Sequence, residues 1–148
     1  MKIKVLVIVI VVLATLGAVV VSRNIRSGIV TQPQLTQQAI QKTFPPQTDG
    51  QGEVSVEVTP KILEVGKEVT FQVTFTTHSV ELDKDLVKVS KLTDDQGNEY
   101  LPVSWSGGTG GHHLSGELIF PKITENAKSA ELQVSGFGGA ERVFKWEL

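Results

Sequence analysis

The chain has 148 residues, with 14 Lys and Arg against 16 Asp and Glu, a formal net charge of −2, and no cysteine. The near balance of charge removes the basic field that nucleic-acid binding needs and the acidic tail that would seek a cationic partner. The absence of cysteine excludes a disulfide framework, thiol redox chemistry, a thiolate zinc site and a lipid-modified cysteine, so an exported domain must be held by its hydrophobic core alone.

Lys2 and Lys4 precede an unbroken apolar run, Val5 to Val21, and Arg23 and Arg26 follow it. As a helix this run rises about 25 Å, near the lower limit for spanning a hydrocarbon layer. Lipid offers the backbone no outside partner, so even β-branched Val and Ile are forced into helix there. Two readings are open: a signal peptide cut after Ser22, giving a secreted protein, or an uncleaved signal-anchor that keeps the run as one transmembrane helix. The run is longer than a usual signal core, which favours the anchor. Basic residues flank both ends and do not fix orientation. Residues 1–26 are thus a membrane anchor or signal segment, touching the membrane through residues 5–21. The expected location is the cell membrane, single-pass, with the C-terminal domain extracytoplasmic.

Residues 27–52 change character. Gln is frequent, and Pro33, Pro45, Pro46, Gly50 and Gly52 interrupt any regular pattern. Leu35, Ala39, Ile40 and Phe44 recur at helical spacing, but the stretch reads as a polar linker with at most a marginal helical turn. Pro45-Pro46 ends any helix and starts an extended segment.

Residues 53–148 read as all-β. Val54, Val56 and Val58 share one face, and Pro60 is expected to end that strand. Lys67 to Thr77 is the clearest strand, with Val69, Phe71, Val73 and Phe75 opposite Thr70, Gln72, Thr74 and Thr76. Leu86 to Leu92 is a weaker strand, and Asp94 to Asn98 is a turn. Glu99 to Trp105 reads as one strand with Leu101, Val103 and Trp105 on a single face, placed at an edge by Pro102. Leu114 to Phe120 and Ser129 to Ser135 follow. Gly136 to Gly139 is a hairpin turn, and Arg142 to Leu148 closes the chain with Phe144, Trp146 and Leu148 alternating. About seven short strands with regular turns predict an antiparallel β-sandwich of the immunoglobulin-like class. Trp105 and Trp146 are expected to plug its core.

No nucleophile elbow occurs. The loop Gly107 to His113 lacks the Lys-Ser/Thr ending of a phosphate loop and joins two strands, so no catalytic residues are expected. The turn at Asp94 lacks the later bidentate Glu of a calcium loop. Three histidines remain. If the strands run up and down in order, the connection bearing His78, Glu81, Asp83 and Asp85 meets the glycine loop bearing His112 and His113, and residues 136–140, at one pole. His78, His112, His113 and Asp83 are therefore candidate ligands, a donor set suited to Cu(II), Zn(II) or Ni(II). Adjacent His112 and His113 would point to opposite faces if strand geometry begins there, so the alternative is structural: an imidazole bonding a loop carbonyl.

The stretch Lys91 to Tyr100, ending Asp94-Asp95-Gln96-Gly97-Asn98-Glu99-Tyr100, resembles a segment of immunoglobulin-like domains in exported bacterial proteins. Thr77 to Asp83 paired with Gly110 to Gly116 is similar to uncharacterised membrane-anchored bacterial proteins. The resemblance covers residues 52–148, implies the fold and location, and is silent on activity. The expected function is a membrane-anchored, extracytoplasmic, non-catalytic binding module that takes a transition metal, Cu(II) or Zn(II), at its histidine pole. The alternative is a metal-free structural or protein-interaction module that docks an envelope protein through a strand edge or its loops. No nucleic-acid partner is expected.

Overall fold

The computed structural model describes residues 42–148. The expected membrane segment, residues 5–21, and most of the linker lie outside the described residues. Among the described residues no helix is long and apolar enough to cross a membrane.

The strands are β1 (Gln47–Asp49), β2 (Val54–Ile62), β3 (Glu68–Thr77), β4 (Ser90–Asp94), β5 (Glu99–Tyr100), β6 (Ser104–Trp105), β7 (His113–Lys122), β8 (Ser129–Phe137) and β9 (Ala140–Glu147). One helical turn, α1 (Leu86–Val89), precedes β4. They form two antiparallel sheets, ordered β1-β2-β3-β7-β6 and β5-β4-β8-β9. Strict alternation explains why. Val54, Val56 and Val58 of β2, Val69, Phe71, Val73 and Phe75 of β3, and Ala130, Leu132 and Val134 of β8 all turn inward and are buried. The inner faces share one core in a sandwich-like arrangement. Phe71 of one sheet stacks on Trp146 of the other at 5.0 Å, and Phe75 meets Phe137 at 4.6 Å.

Several expectations change. Pro60 does not end β2. It pairs with Phe71, a bulge follows, and the strand runs on to Ile62. β1 pairs only with Val56 to Val58, so Pro60 lies beyond that ladder, where a missing N–H is tolerated. Leu86 to Leu92 is not one strand. Asp85 accepts from the Val87 N–H at 3.1 Å and caps α1, and the strand starts only at Ser90. Glu99 to Trp105 is not one strand either. β5 and β6 are edges of different sheets, and Leu101 to Val103 crosses between them, with Pro102 buried and Leu101 and Val103 exposed. Phe137 belongs to β8 and the core, so the hairpin turns at Gly138-Gly139. Trp146 is buried as expected, whereas Trp105 is only half-buried. Within the stretch read as linker, Phe44 joins the core and β1 pairs with β2. That segment also covers β9: Lys42 Nζ donates to the Glu147 carbonyl at 2.8 Å, and Gln47 Nε2 to the Lys145 carbonyl at 2.7 Å.

Arg142 is the charged residue on the inner face of β9. Alternation turns it inward with Phe144 and Trp146, and it is fully buried. Its guanidinium donates to the carbonyls of Phe137 at 3.0 Å and Val54 at 2.9 Å, and to that of Gln51. Nε lies 3.5 Å from Asp49 Oδ1. Burial pushes the guanidinium pKa down, and Asp49 pushes back. Asp49 is itself held low, chiefly by the Gln51 N–H, which donates to it at 2.9 Å. One buried side chain thus joins β1, the turn Gln51–Glu53, β2 and the β8–β9 hairpin. Arg142→Ala removes these hydrogen bonds and leaves a cavity. It is expected to cost about 3 kcal/mol, lowering Tm by more than about 10 °C in thermal unfolding. An unchanged melt would show that the guanidinium is dispensable.

Candidate functional site at the glycine–histidine pole

β3 rises toward Thr77, and there three connections converge. Leu82 and the glycine loop are zipped by backbone bonds, Leu82 N–H to the Gly111 carbonyl at 3.0 Å and Gly110 N–H to the Leu82 carbonyl at 2.7 Å. Glu81 accepts from the Gly111 N–H at 2.6 Å. The Thr77 N–H donates to the His112 carbonyl at 3.0 Å, and the Thr77 hydroxyl donates to the Glu53 carbonyl at 2.8 Å. Trp105 Nε1 donates to the Gly108 carbonyl at 2.7 Å. Gly107 lies flat on the Trp105 indole and against the backbone of Gly116, where any Cβ would collide. The loop is therefore a fastened platform rather than the flexible connection its composition suggests. The hairpin arrives beside it: Gly52 and Gly138 face each other backbone to backbone, both with positive φ.

The structure places the candidate ligands as follows. His78 is exposed just past β3, and His113 is exposed at the start of β7, paired with Thr76. His112 is exposed, its Nδ1 3.2 Å from the Val80 carbonyl. Asp83 is exposed and paired with Lys84 at 3.1 Å. Strand pairing thus brings the His78 segment alongside His112 and His113, at the pole that the connectivity argument expected. The side chains do not converge: among the described residues no group of three or more His, Cys, Asp or Glu is placed to hold a metal ion. Glu81 and Trp105 organise the pole, and sequence reasoning gave neither that role. Glu81 carried a signal in its position opposite the glycine loop. Trp105 carried none, because an aromatic on a strand face reads as core.

The other pole is where the described chain enters, at Lys42. The turn after β2 is tied there to the connection after β7 by the Gly66 N–H and the Ile123 carbonyl at 2.9 Å, and Leu148 N–H donates to the Lys128 carbonyl at 2.8 Å. The ten residues of β3 set the poles about 30 Å apart. At this far pole Asp94 is a buried hub. It accepts from the Gln96 and Asn98 N–H groups at 2.9 Å each, from the Asn98 side chain, from Tyr100 Oη at 2.7 Å and from Thr124 Oγ1 at 3.0 Å. Burial pushes its pKa up, and these hydrogen bonds, led by Asn98 and Tyr100, more than reverse that and hold it well below the usual carboxylate range.

Comparison of the chain with protein-family models, with curated proteins and with solved structures finds no match.

Gly107→Ala should destabilise the loop by about 2 kcal/mol or more through overpacking, read as faster amide exchange from Ser106 to His112. Asp94 bears on acid stability. Its folded pKa lies below its unfolded value near 3.9, so its contribution is complete above that value and is lost as pH falls toward the folded pKa. Asp94→Asn should cost about 2 kcal/mol at pH 7 and flatten the loss of stability below about pH 4, measured by denaturant titration across pH. A variant as acid-sensitive as the parent would contradict this assignment.

Proposed function

We propose that residues 53–148, with the short strand before them, form an immunoglobulin-like, non-catalytic interaction module. Residues 5–21 hold it at the membrane, outside the cytoplasm, and its glycine–histidine pole is turned to a protein partner in the cell envelope. The strand order supports the class: β2-β3-β7-β6 follows the A-B-E-D order of that fold, and β4-β8-β9 follows C-F-G. The observation that carries the functional reading is the opposition of the poles. The described chain enters at Lys42, and the fastened loop lies at the opposite end of the strands, so the entering segment leaves that loop uncovered.

The second reading is metal binding, Cu(II) or Zn(II), by His78, His112, His113 and Asp83. It is favoured by the pairing of Thr76 with His113 and of the Thr77 N–H with the His112 carbonyl. His112 could ligate through Nε2 while Nδ1 keeps the Val80 carbonyl, but the reading requires the other side chains to swing in to join it.

The test is site-specific photo-crosslinking of the full chain in membranes that carry it, with the probe at His113 or at Lys67 on the opposite pole. Adducts to a discrete protein from His113 and not from Lys67 are expected. The reverse pattern would overturn the reading. Thermal unfolding of the same chain with Cu(II) or Zn(II) separates the alternatives. A metal at a hundred times its Kd adds about 2.7 kcal/mol of stability. Such a shift, lost when all three histidines become Ala, would put metal binding in place of the proposal.

A further inference from the structure

The outer face of the β5-β4-β8-β9 sheet carries a self-complementary pattern. Strand register lays its side chains in rows. One row reads Glu99, Thr93, Glu131, Lys145 across the sheet. The next reads Lys91, Gln133, Val143, with Leu101 beyond Lys91 on the β5 side. Leu101 borders a hollow of about 260 Å³ together with Lys91 and Gln133. Val143 points outward between buried Arg142 and Phe144. Leu101 is 69% exposed and Val143 44% exposed, so the two large apolar side chains of this face sit at its opposite margins.

Consider a second copy rotated by 180° about an axis lying in the face and parallel to the strands. The rotation exchanges the β5 margin with the β9 margin and keeps each row level. Leu101 then meets Val143 of the second copy, Glu99 meets its Lys145, and Lys91 meets its Gln133; each contact occurs twice, as two-fold symmetry requires. No like charges meet in these two rows. We infer that this face is a homotypic interface between two copies of the chain.

Both cations of the face already have acidic neighbours, Lys91 with Glu99 at 2.5 Å and Lys145 with Glu131 at 2.6 Å. Exposed pairs of this kind contribute little, so exchanging them for pairs between copies costs little. Four strands at about 4.8 Å spacing and about five residues each give a face of roughly 350 Å² per copy, below the size of a stable interface. The dimer is therefore short-lived and depends on local concentration. A shared membrane supplies that concentration, a contribution that rests on the anchor reading.

The chain's lack of cysteine makes the test clean. Full-length L101C and V143C are reconstituted in phosphatidylcholine vesicles, singly and mixed, and treated with a bismaleimide of about 10 Å span, the spacing of packed sheets. The mixture should give covalent dimer at least about tenfold above either variant alone. Adding K145E to both copies should remove that excess, and K145E with E99K should restore it. Equal yields from the single variants and the mixture, or a yield indifferent to K145E, would overturn the interface and leave the face open to a different protein. Flotation with the vesicles reports on the anchor separately. If the chain does not float, the same crosslinking in concentrated solution still decides the interface.

Discussion

The packing of Phe71 on Trp146 across the core is the contact on which the rest depends. A chain without cysteine has no covalent bond between its sheets, so they stay together only through apolar area taken from water. Each large side chain buried there contributes about 1.5–3 kcal/mol. Phe75 against Phe137 repeats the arrangement nearer the glycine–histidine pole, and Phe120 meets Phe71 edge-on at 5.9 Å. Because these contacts lock the sheets in one relation, the connections at each end are also fixed in relation to one another. The glycine loop can meet Leu82 through backbone bonds only because β3 and β7 carry both to one place.

Among the described residues this interior takes in a charge at each end, Asp94 at the far pole and Arg142 at the other. Arg142 stands at the end of the core nearest the glycine–histidine pole and donates to the carbonyls of Phe137 and Val54. Its Nε has no hydrogen-bond partner within normal range, and Trp146 Nε1 is also buried without one. Two orphaned donors in a core of this size are a real cost. The compensation is topological: one guanidinium fixes the entry of β2, the β8–β9 hairpin and β1 together. A hydrophobic side chain at that position would fill the space but would join none of these backbones.

Much of this was legible in the residues. Period-two alternation located β2, β3, β7, β8 and β9, because half-buried strands must alternate. The up-and-down argument brought His78, His112 and His113 to one pole. What escaped is instructive. Glu99 to Trp105 alternates as well as any strand, yet it splits between two sheets, because alternation reports which side chains are apolar and not which backbone they pair with. Leu86 to Val89 was lost to a single cap at Asp85, a local bond that outweighs the β-branched content. Asp94 read as a turn residue and is one; its bonds to Tyr100 and Thr124 join segments whose nearness depends on tertiary structure. Arg142 shares the inward parity of Phe144 and Trp146, but an arginine on a strand is read as solvent-facing until its carbonyl partners are known. The imidazoles show the limit most clearly: sequence brought their backbones together, and side-chain direction kept them from forming a single ligand set.

The cover that Lys42 and Gln47 place on β9 has a consequence for the molecule's solubility. β9 is eight residues long and ends its sheet, so its outer row of backbone groups would template the addition of another strand. The segment from Lys42 to Gln47 occupies part of that row with its own side chains. The stretch that reads as a mere leash is thus also a guard. A fragment begun at residue 53, the boundary the alternation suggests, would lose Phe44 from its core and would also bare the edge along which one copy could zip onto the next.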